Sequence, residues 1–187
     1  DVKANSVLLN LNDKQAAPNM RNVVQSAGTK MTVIGATNIL ANGDVTLTDV
    51  NVLTGNLTII AKGALIDGNT SVTDGIEDAN ITMGSGELSI ETAAIGDATD
   101  AGDIDLKVGN IAALLTTDTD PNAQSINVTS HSEVALKAMD AAGRAKFIQA
   151  TGDLTVTGRV NVNALTLDVA EGSLLQDKES TLYVIKD

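Results

Sequence analysis

Gly43-Asp44-Val45-Thr46-Leu47-Thr48 and its near copy Gly152-Asp153-Leu154-Thr155-Val156-Thr157 carry the pattern that decides the fold. Each holds an aliphatic residue, a small polar residue and a second aliphatic residue in succession. Because successive side chains of a β-strand point to opposite faces, such a triplet places two apolar groups on one face and a hydroxyl on the other. Each stretch therefore predicts a short half-buried strand. The preceding Gly-Asp pair predicts a turn, since both residues tolerate a positive φ.

The same aliphatic-polar-aliphatic triplet recurs along the whole chain. Examples are Leu9–Leu11, Met31–Val33, Leu57–Ile59, Ile81–Met83, Ile104–Leu106, Ile126–Val128 and Leu154–Val156. The interval from one triplet to the next is nearly constant, as is typical of stacked repeats. A second apolar segment follows the first in most coils and a third, weaker one comes later, for example at Val72 and Ile95. We therefore predict an all-β solenoid with coils of about 22–28 residues and three strands per turn.

One domain accounts for the length of the chain. Its 187 residues fit a single solenoid over residues 1–187, with residues 1–30 as an irregular or capping end coil. The stretch from Ser132 to Lys146 is rich in alanine and fits either a helical turn or a strand and turn, of which we favour the strand. A start at Asp1 without a targeting segment is expected for a processed chain or an excised fragment.

Composition excludes several functional classes. Phe147 and Tyr183 are the only aromatic residues, so the core must consist of aliphatic side chains, which stack well in identical rungs. The 24 acidic residues against 12 basic ones give a formal charge of −12 and argue against nucleic acid as a partner. No apolar run is long enough for membrane insertion. The absence of cysteine excludes disulfides and thiolate sites.

The single histidine, His131, lies between Ser130 and Ser132 and precedes Glu133. Neighbouring residues of a strand point to opposite faces, whereas catalytic triads are assembled from distant positions in the chain. We interpret His131 as an exposed turn residue and predict no catalytic residue.

Two acidic clusters have oxygen-rich side chains of the kind that calcium prefers. Their members are Asp97, Asp100, Asp103 and Asp105 in the first, and Asp118, Asp120 and Asn122 in the second. The second cluster lacks the central glycine and the closing glutamate of a calcium loop, having Ala123 and Thr129. We favour solvated turn acids over a calcium site, and we predict no other cofactor.

An enzyme acting on polysaccharides is a further interpretation of a β-helix. It would need two carboxylates on one sheet face, but the outward positions of the triplets are mostly Thr and Asn, with Asp105 and Asp168 well apart. Arg144 and Arg159 are not near an acidic pair in the sequence, and no aromatic platform for sugars is present. Rows of outward Thr and Asn favour side-chain ladders that reinforce a sheet.

The glycine-led triplets also resemble a known family. Gly43–Leu47, Gly55–Ile59, Gly86–Ile90 and Gly152–Val156, with their regular rhythm, resemble repeats of filamentous-haemagglutinin-type exoproteins and other large bacterial surface adhesins. The resemblance covers roughly residues 31–184. It implies a right-handed parallel β-helix exported to the cell surface as a stalk or adhesive fibre.

We expect a non-catalytic, secreted or surface-bound structural or adhesive protein that forms a rod or filament, as in a biofilm. Its expected partners are copies of itself or flanking repeats at exposed strand edges, and host or matrix glycans. One alternative is an antiparallel, pilin-like β-sandwich in which Ser6 to Asn12 donates a strand to the next subunit. A β-helical polysaccharide-active enzyme is a less favoured alternative.

Overall fold

The computed structural model describes residues 1–11, 22–69, 72–73, 76–97 and 102–185, and these form an all-β solenoid without a helix. The strands are β1 (Val2–Ala4), β2 (Val7–Leu11), β3 (Val23–Val24), β4 (Met31–Val33), β5 (Thr37–Ala41), β6 (Val45–Leu47), β7 (Val50–Val52), β8 (Leu57–Ala61), β9 (Leu65–Asp67), β10 (Val72–Thr73), β11 (Ile76–Glu77), β12 (Ile81–Met83), β13 (Leu88–Thr92), β14 (Ile104–Lys107), β15 (Asn110–Thr116), β16 (Gln124–Ser130), β17 (Val134–Gln149), β18 (Leu154–Val169), β19 (Leu174–Gln176) and β20 (Thr181–Val184).

Parallel strands stack into three faces, as the sequence predicts. The first sheet runs β1, β4, β7, β12, β14 and β16, and the second runs β2, β5, β8, β13 and β15. The third contains β3, β6 and β9 and continues through bridges at Ile95 and Ile126. In the carboxy-terminal half, β17 and β18 are 16 residues long and pass through all three faces, with register shifts where they bend. β19 and β20 then continue the second sheet.

The register of the second sheet defines an uninterrupted apolar column from the first rung to the last. This column, named the Leu9 column, contains Leu9, Ile39, Ile59, Ile90, Leu114, Met139, Val160 and Leu182. The adjoining outward positions form the Asn10 row, which contains Asn10, Leu40, Ile60, Glu91, Leu115, Asp140, Asn161 and Tyr183. Eight rungs make about seven turns. At a strand spacing of ~4.8 Å the stack is about 34 Å long.

The burial of the strands confirms the triplet interpretation. In β4, β6, β7 and β12 the two aliphatic residues are buried and the polar residue between them is partly exposed. Phe147 is fully buried among these aliphatic side chains, and Tyr183 is 59% exposed. The stretch from Ser132 to Lys146 lies mostly in β17, so the strand interpretation is confirmed there and the helical alternative is wrong.

The pairing of the strands rules out the pilin-like antiparallel sandwich. Every pair of stacked strands is parallel, and the antiparallel pair in the described residues is the small hairpin β10–β11. Residues Ser6 to Leu11, considered as a donated strand, lie largely in β2, which pairs with β5 of its own chain. Asn12 lies outside the described residues. Within residues 1–30, β1, β2 and β3 belong to the first rung.

Coil lengths are more unequal than the spacing of the triplets. Along the Leu9 column, the coil from Leu9 to Ile39 is half as long again as the next one, from Ile39 to Ile59. The coil from Ile59 to Ile90 is longer still, and it contains the hairpin β10–β11. Val72, expected as a third apolar point within a coil, belongs to this hairpin and pairs with Glu77 rather than with a neighbouring rung.

The corner before the second sheet is formed by a glycine and the residue after it, whose side chain accepts a hydrogen bond. Gly55 and Gly86 have φ values of +84° and +99°, and a Cβ on Gly86 would lie 2.1 Å from the carbonyl oxygen of Gly55. The Asn56 side-chain oxygen accepts a hydrogen bond from the Glu87 backbone N–H at 3.1 Å. Asp153 accepts one from the Ser173 N–H in the same way, at 2.8 Å. The glycine thus allows close stacking, and the next residue links one rung to the following one.

Candidate functional site

Two adjacent rungs bring acidic, hydroxyl and imidazole groups together on the outside of the first sheet. β14 places Ile104 and Leu106 in the core, which leaves Asp105 on the outer face. In the next rung Thr129 of β16 is the register partner of Asp105. Asp103 and His131 flank these two positions. We name Asp103, Asp105, Thr129 and His131 the acid–histidine cluster.

Direct contacts join the two rungs within this cluster. Nε2 of His131 contacts Oδ1 of Asp105, and the Thr129 hydroxyl donates a hydrogen bond to Oδ2 of Asp103. The Asp105 carboxylate is nearly inaccessible, with 3% of the side chain exposed, and the His131 side chain is 15% exposed. Oδ2 of Asp105 is buried and has no hydrogen-bond partner. The cluster is therefore a closely packed, largely water-excluded link between rungs.

Asn80 extends the link to the preceding rungs. Its side-chain oxygen accepts a hydrogen bond from the Asp105 backbone N–H at 2.8 Å. Its amide nitrogen donates to the Leu47 carbonyl oxygen at 3.2 Å and to Oδ1 of Asp67 at 2.6 Å. Asn80 is fully buried, so these bonds satisfy polar groups that water does not reach.

The surroundings of Asp103 shift the pKa of its carboxyl group. Burial raises the pKa of Asp103 above its ordinary value, and the negative charge of Asp105 raises it further. The hydrogen bonds from Thr129 and the backbone, and the positive charge of Lys146, act in the opposite direction without overcoming the burial.

The chemistry open to this arrangement is limited by access. Two carboxyl groups and an imidazole are the groups that general acid–base catalysis uses, and such groups must reach the substrate. Asp103 is 4% exposed and Asp105 is 2% exposed, so their carboxyl groups do not face solvent. Asp168 occupies the same outward row as Asp105 but lies three rungs away, about 14 Å. The cluster is arranged to fasten rungs together.

The sequence predicts His131 as an exposed turn residue, and the prediction that it is exposed is wrong. His131 lies in a bend, but the stacking of the rungs places it against Asp105 of the preceding coil, which buries most of the ring. Comparing His131 only with its immediate neighbours in the sequence misses both Asp105 and the role of Thr129. Finding this contact requires the register between coils, in which Asp105 pairs with Thr129 and residues one coil apart become neighbours.

The acidic positions considered for calcium lie in two places in the structure, Asp97, Asp103 and Asp105 in one and Asp118 and Asp120 in the other. Asp103 and Asp105 belong to the acid–histidine cluster, and the backbone N–H of Asp97 donates to the Gly102 carbonyl oxygen at 2.7 Å, which places Asp97 next to the start of this segment. Asp100 lies outside the described residues. The side chains of Asp118 and Asp120 accept hydrogen bonds from the backbone N–H groups of Asp120 and Asn122, as in a chain of Asx turns.

In the ranges that the structure describes, no three His, Asp or Glu side chains are grouped to hold a metal ion. The preference for solvated turn acids over a calcium site stays a prediction.

Within the described part of the chain, no helix has the length and apolar character needed to cross a membrane.

Comparison with known proteins adds no family: no family model matches the chain, and no curated protein or solved structure matches it.

Proposed function

We propose that this chain is a non-catalytic structural segment of an extracellular bacterial protein, in which it serves as a stiff rod or spacer at the cell surface. The observation that carries the proposal is the Leu9 column, which runs through all eight rungs without a polar interruption. A stack in which every rung covers the apolar face of the last one resists local bending and opening, because each rung is packed on both sides.

The outer surface supports the same proposal. The outward positions of β4, β6, β7 and β12 carry Thr or Asn, and the acid–histidine cluster is closed to solvent. Links between rungs recur at separate places, at Asn56, Asn80 and Asp153. Such features maintain a shape rather than prepare a substrate site. Acidic surface charge keeps a secreted rod soluble.

The test is the position of the chain on the cell that makes it. Antibodies raised against the purified chain are applied to intact and to permeabilised cells and located by immunogold electron microscopy. We expect gold particles at the outer boundary of intact cells. Labelling that requires permeabilisation would contradict an extracellular role.

A further inference from the structure

We propose that this chain joins two of its neighbouring rungs covalently, by an amide bond between the side-chain nitrogen of Lys146 and the side-chain Cγ of Asn127. The bond forms within the folded chain and releases ammonia. The chain reacts once with itself and turns over no substrate. Such a cross-link goes beyond the proposed function, because it depends on the stacking of the rungs and not on where the chain is located.

The register of β16 and β17 sets the two side chains beside each other. Asn127 and Lys146 are partners in this parallel pair. Their neighbours Ile126, Val128 and Phe147 are fully buried in the core, so the alternation of a strand directs Asn127 and Lys146 outward on the same side. Partners in register are ~4.8 Å apart, and a lysine side chain is long enough to bend back onto the neighbouring carboxamide. In the described strands this is the one register pair that sets a lysine beside an asparagine.

The Asn127 carboxamide is held in one place and is closed to water. Although it points outward, Asn127 is 1% exposed, because the preceding coil packs against it. Its Nδ2 donates a hydrogen bond to the Asp97 carbonyl oxygen at 2.6 Å. A Cβ on Gly96 would lie 2.5 Å from the backbone carbonyl oxygen of Asn127, so the two coils approach closely here. Water is the competing nucleophile at an amide carbon, and its exclusion favours attack by the lysine.

Asp103 supplies a buried carboxyl group beside these two side chains. The same Cβ position on Gly96 lies 3.2 Å from the Cα of Asp103, which places Asp103 next to Asn127. Asp103 is 4% exposed, and the Thr129 hydroxyl donates a hydrogen bond to its carboxyl group. Burial raises the pKa of Asp103, and the positive charge of the nearby Lys146 lowers it without overcoming the burial. The carboxyl group therefore keeps its proton to a higher pH than an ordinary aspartate, which suits it to donate a proton and take one back.

The reaction needs no oxidant, reductant or further reactant. The lysine nitrogen, as the neutral amine, attacks Cγ of Asn127, and a C–N bond forms while Asp103 gives its proton to Oδ1. Asp103 then carries a proton from the lysine nitrogen to Nδ2. The bond between Cγ and Nδ2 breaks, ammonia leaves, and the proton on Oδ1 returns to Asp103. Because both reacting groups belong to one folded chain, the step is unimolecular, which removes much of the entropic cost of bringing them together.

Mass spectrometry of the intact, denatured chain is the first test. The amide bond removes one molecule of ammonia, so we expect a mass about 17 Da below that of the sequence. Lys146→Arg keeps the positive charge but replaces the attacking amine with a guanidinium group. We expect this variant to have the full mass of its sequence and an unchanged circular dichroism spectrum. An original chain with the full mass of its sequence would overturn the inference.

A tryptic digest identifies the two residues that are joined. Trypsin does not cleave after an acylated lysine, so the linked chain yields a branched peptide made of residues 108–137 and 145–159. A succinimide at Asn42-Gly43 would cause the same loss of mass without a branch, and Asn42→Ala is therefore the control that should keep the branched peptide. Loss of ammonia without this branched peptide would overturn the inference.

Asp103→Asn tests the proton transfer, because an amide keeps an acceptor for the Thr129 hydroxyl but cannot exchange protons as a carboxyl group does. We expect the linked fraction to fall at least tenfold in folded D103N. Asp103→Glu, which restores a carboxyl group, should regain linked product, and Asp168→Asn should link like the original chain. A folded D103N chain that links as completely as the original would overturn the assignment of Asp103.

Discussion

Single glycines determine how closely neighbouring rungs approach. Gly86 combines a positive φ with a position where a Cβ would meet the carbonyl oxygen of Gly55. Gly172 repeats the arrangement above Gly152, also with a Cβ position 2.1 Å from a carbonyl oxygen. The glycines at these corners therefore allow close stacking in addition to turning the chain. They let one corner sit directly on the next.

Gly86→Ala is expected to destabilise the fold by about 2 kcal/mol or more, since a strained φ alone costs ~1–3 kcal/mol. Urea unfolding followed by circular dichroism measures the change. Gly109→Ala is the matched control, because a Cβ there would have no neighbour within 4 Å. We expect a change within ~0.5 kcal/mol for the control. A Gly86→Ala variant as stable as Gly109→Ala would show that the corners are not closely stacked.

Asp103 gives the stability of the chain a distinctive dependence on pH. Because burial raises its pKa, the folded chain holds this proton at pH values where the unfolded chain has already lost it. The contribution of Asp103 to stability is thus fully present below its ordinary pKa of 3.8 and is lost as the pH rises from there through the raised value.

Asp103→Asn keeps an acceptor for the Thr129 hydroxyl but cannot ionise. Its melting temperature, measured at half-unit steps of pH upward from pH 3.5, is expected to fall less than that of the original chain over this window. Asp168→Asn, at an exposed position of the same sheet, should follow the original chain. Identical pH profiles for D103N and the original chain would refute the role of the buried carboxyl.

β8 divides its side chains sharply between core and surface, as its adjacent residues Ile59 and Ile60 illustrate. Ile59 is fully buried in the Leu9 column, whereas Ile60 is 42% exposed in the Asn10 row. Ile59→Ala is expected to cost about 3 kcal/mol, since it leaves a cavity between two rungs. Ile60→Ala should cost within ~0.5 kcal/mol. Equal losses of unfolding free energy would indicate a register different from the one described.

The existence of the strands could be predicted from sequence, but their assignment to faces could not. All the triplets quoted from the sequence lie in strands, because alternation within a triplet is a local signal. The triplets at Leu9, Leu57 and Leu154 nevertheless belong to the second sheet, whereas that at Met31 belongs to the first. The spacing between successive triplets therefore compares strands on two different faces rather than successive rungs of one face.

The two near copies show why the face cannot be read locally. Gly43–Thr48 leads into β6 of the third sheet, and Gly152–Thr157 leads into β18 on the second. A short Gly-Asx turn and an aliphatic triplet suit any of the three faces. The coil between Ile59 and Ile90 also contains a hairpin outside the stack. The number of residues between two triplets therefore does not indicate whether they lie on the same face. The acid–histidine cluster depended on this assignment and was missed for the same reason.

At the scale of the molecule, length is independent of how many residues a coil contains. The short coil from Ile39 to Ile59 and the long one from Ile59 to Ile90 both advance the stack by one strand spacing, because the extra residues of the long coil lie outside the stacked strands. Within the described residues, the length of the stack is therefore set by the number of rungs. Parallel stacking in register is the central claim on which the proposed function depends.

Pulsed electron–electron double resonance, which measures the distance between two spin labels, tests that claim most directly when the labels lie on the Asn10 row. In three double variants, Asn10→Cys is combined with Asp140→Cys, Asn161→Cys or Tyr183→Cys, and a spin label is attached to each cysteine. Each labelled chain is diluted with unlabelled chain to remove distances between copies. Five, six and seven rungs predict label separations of about 24, 29 and 34 Å, in equal steps. Separations that fail to increase in this order, or an Asn10–Tyr183 distance below about 20 Å, would contradict the parallel stack.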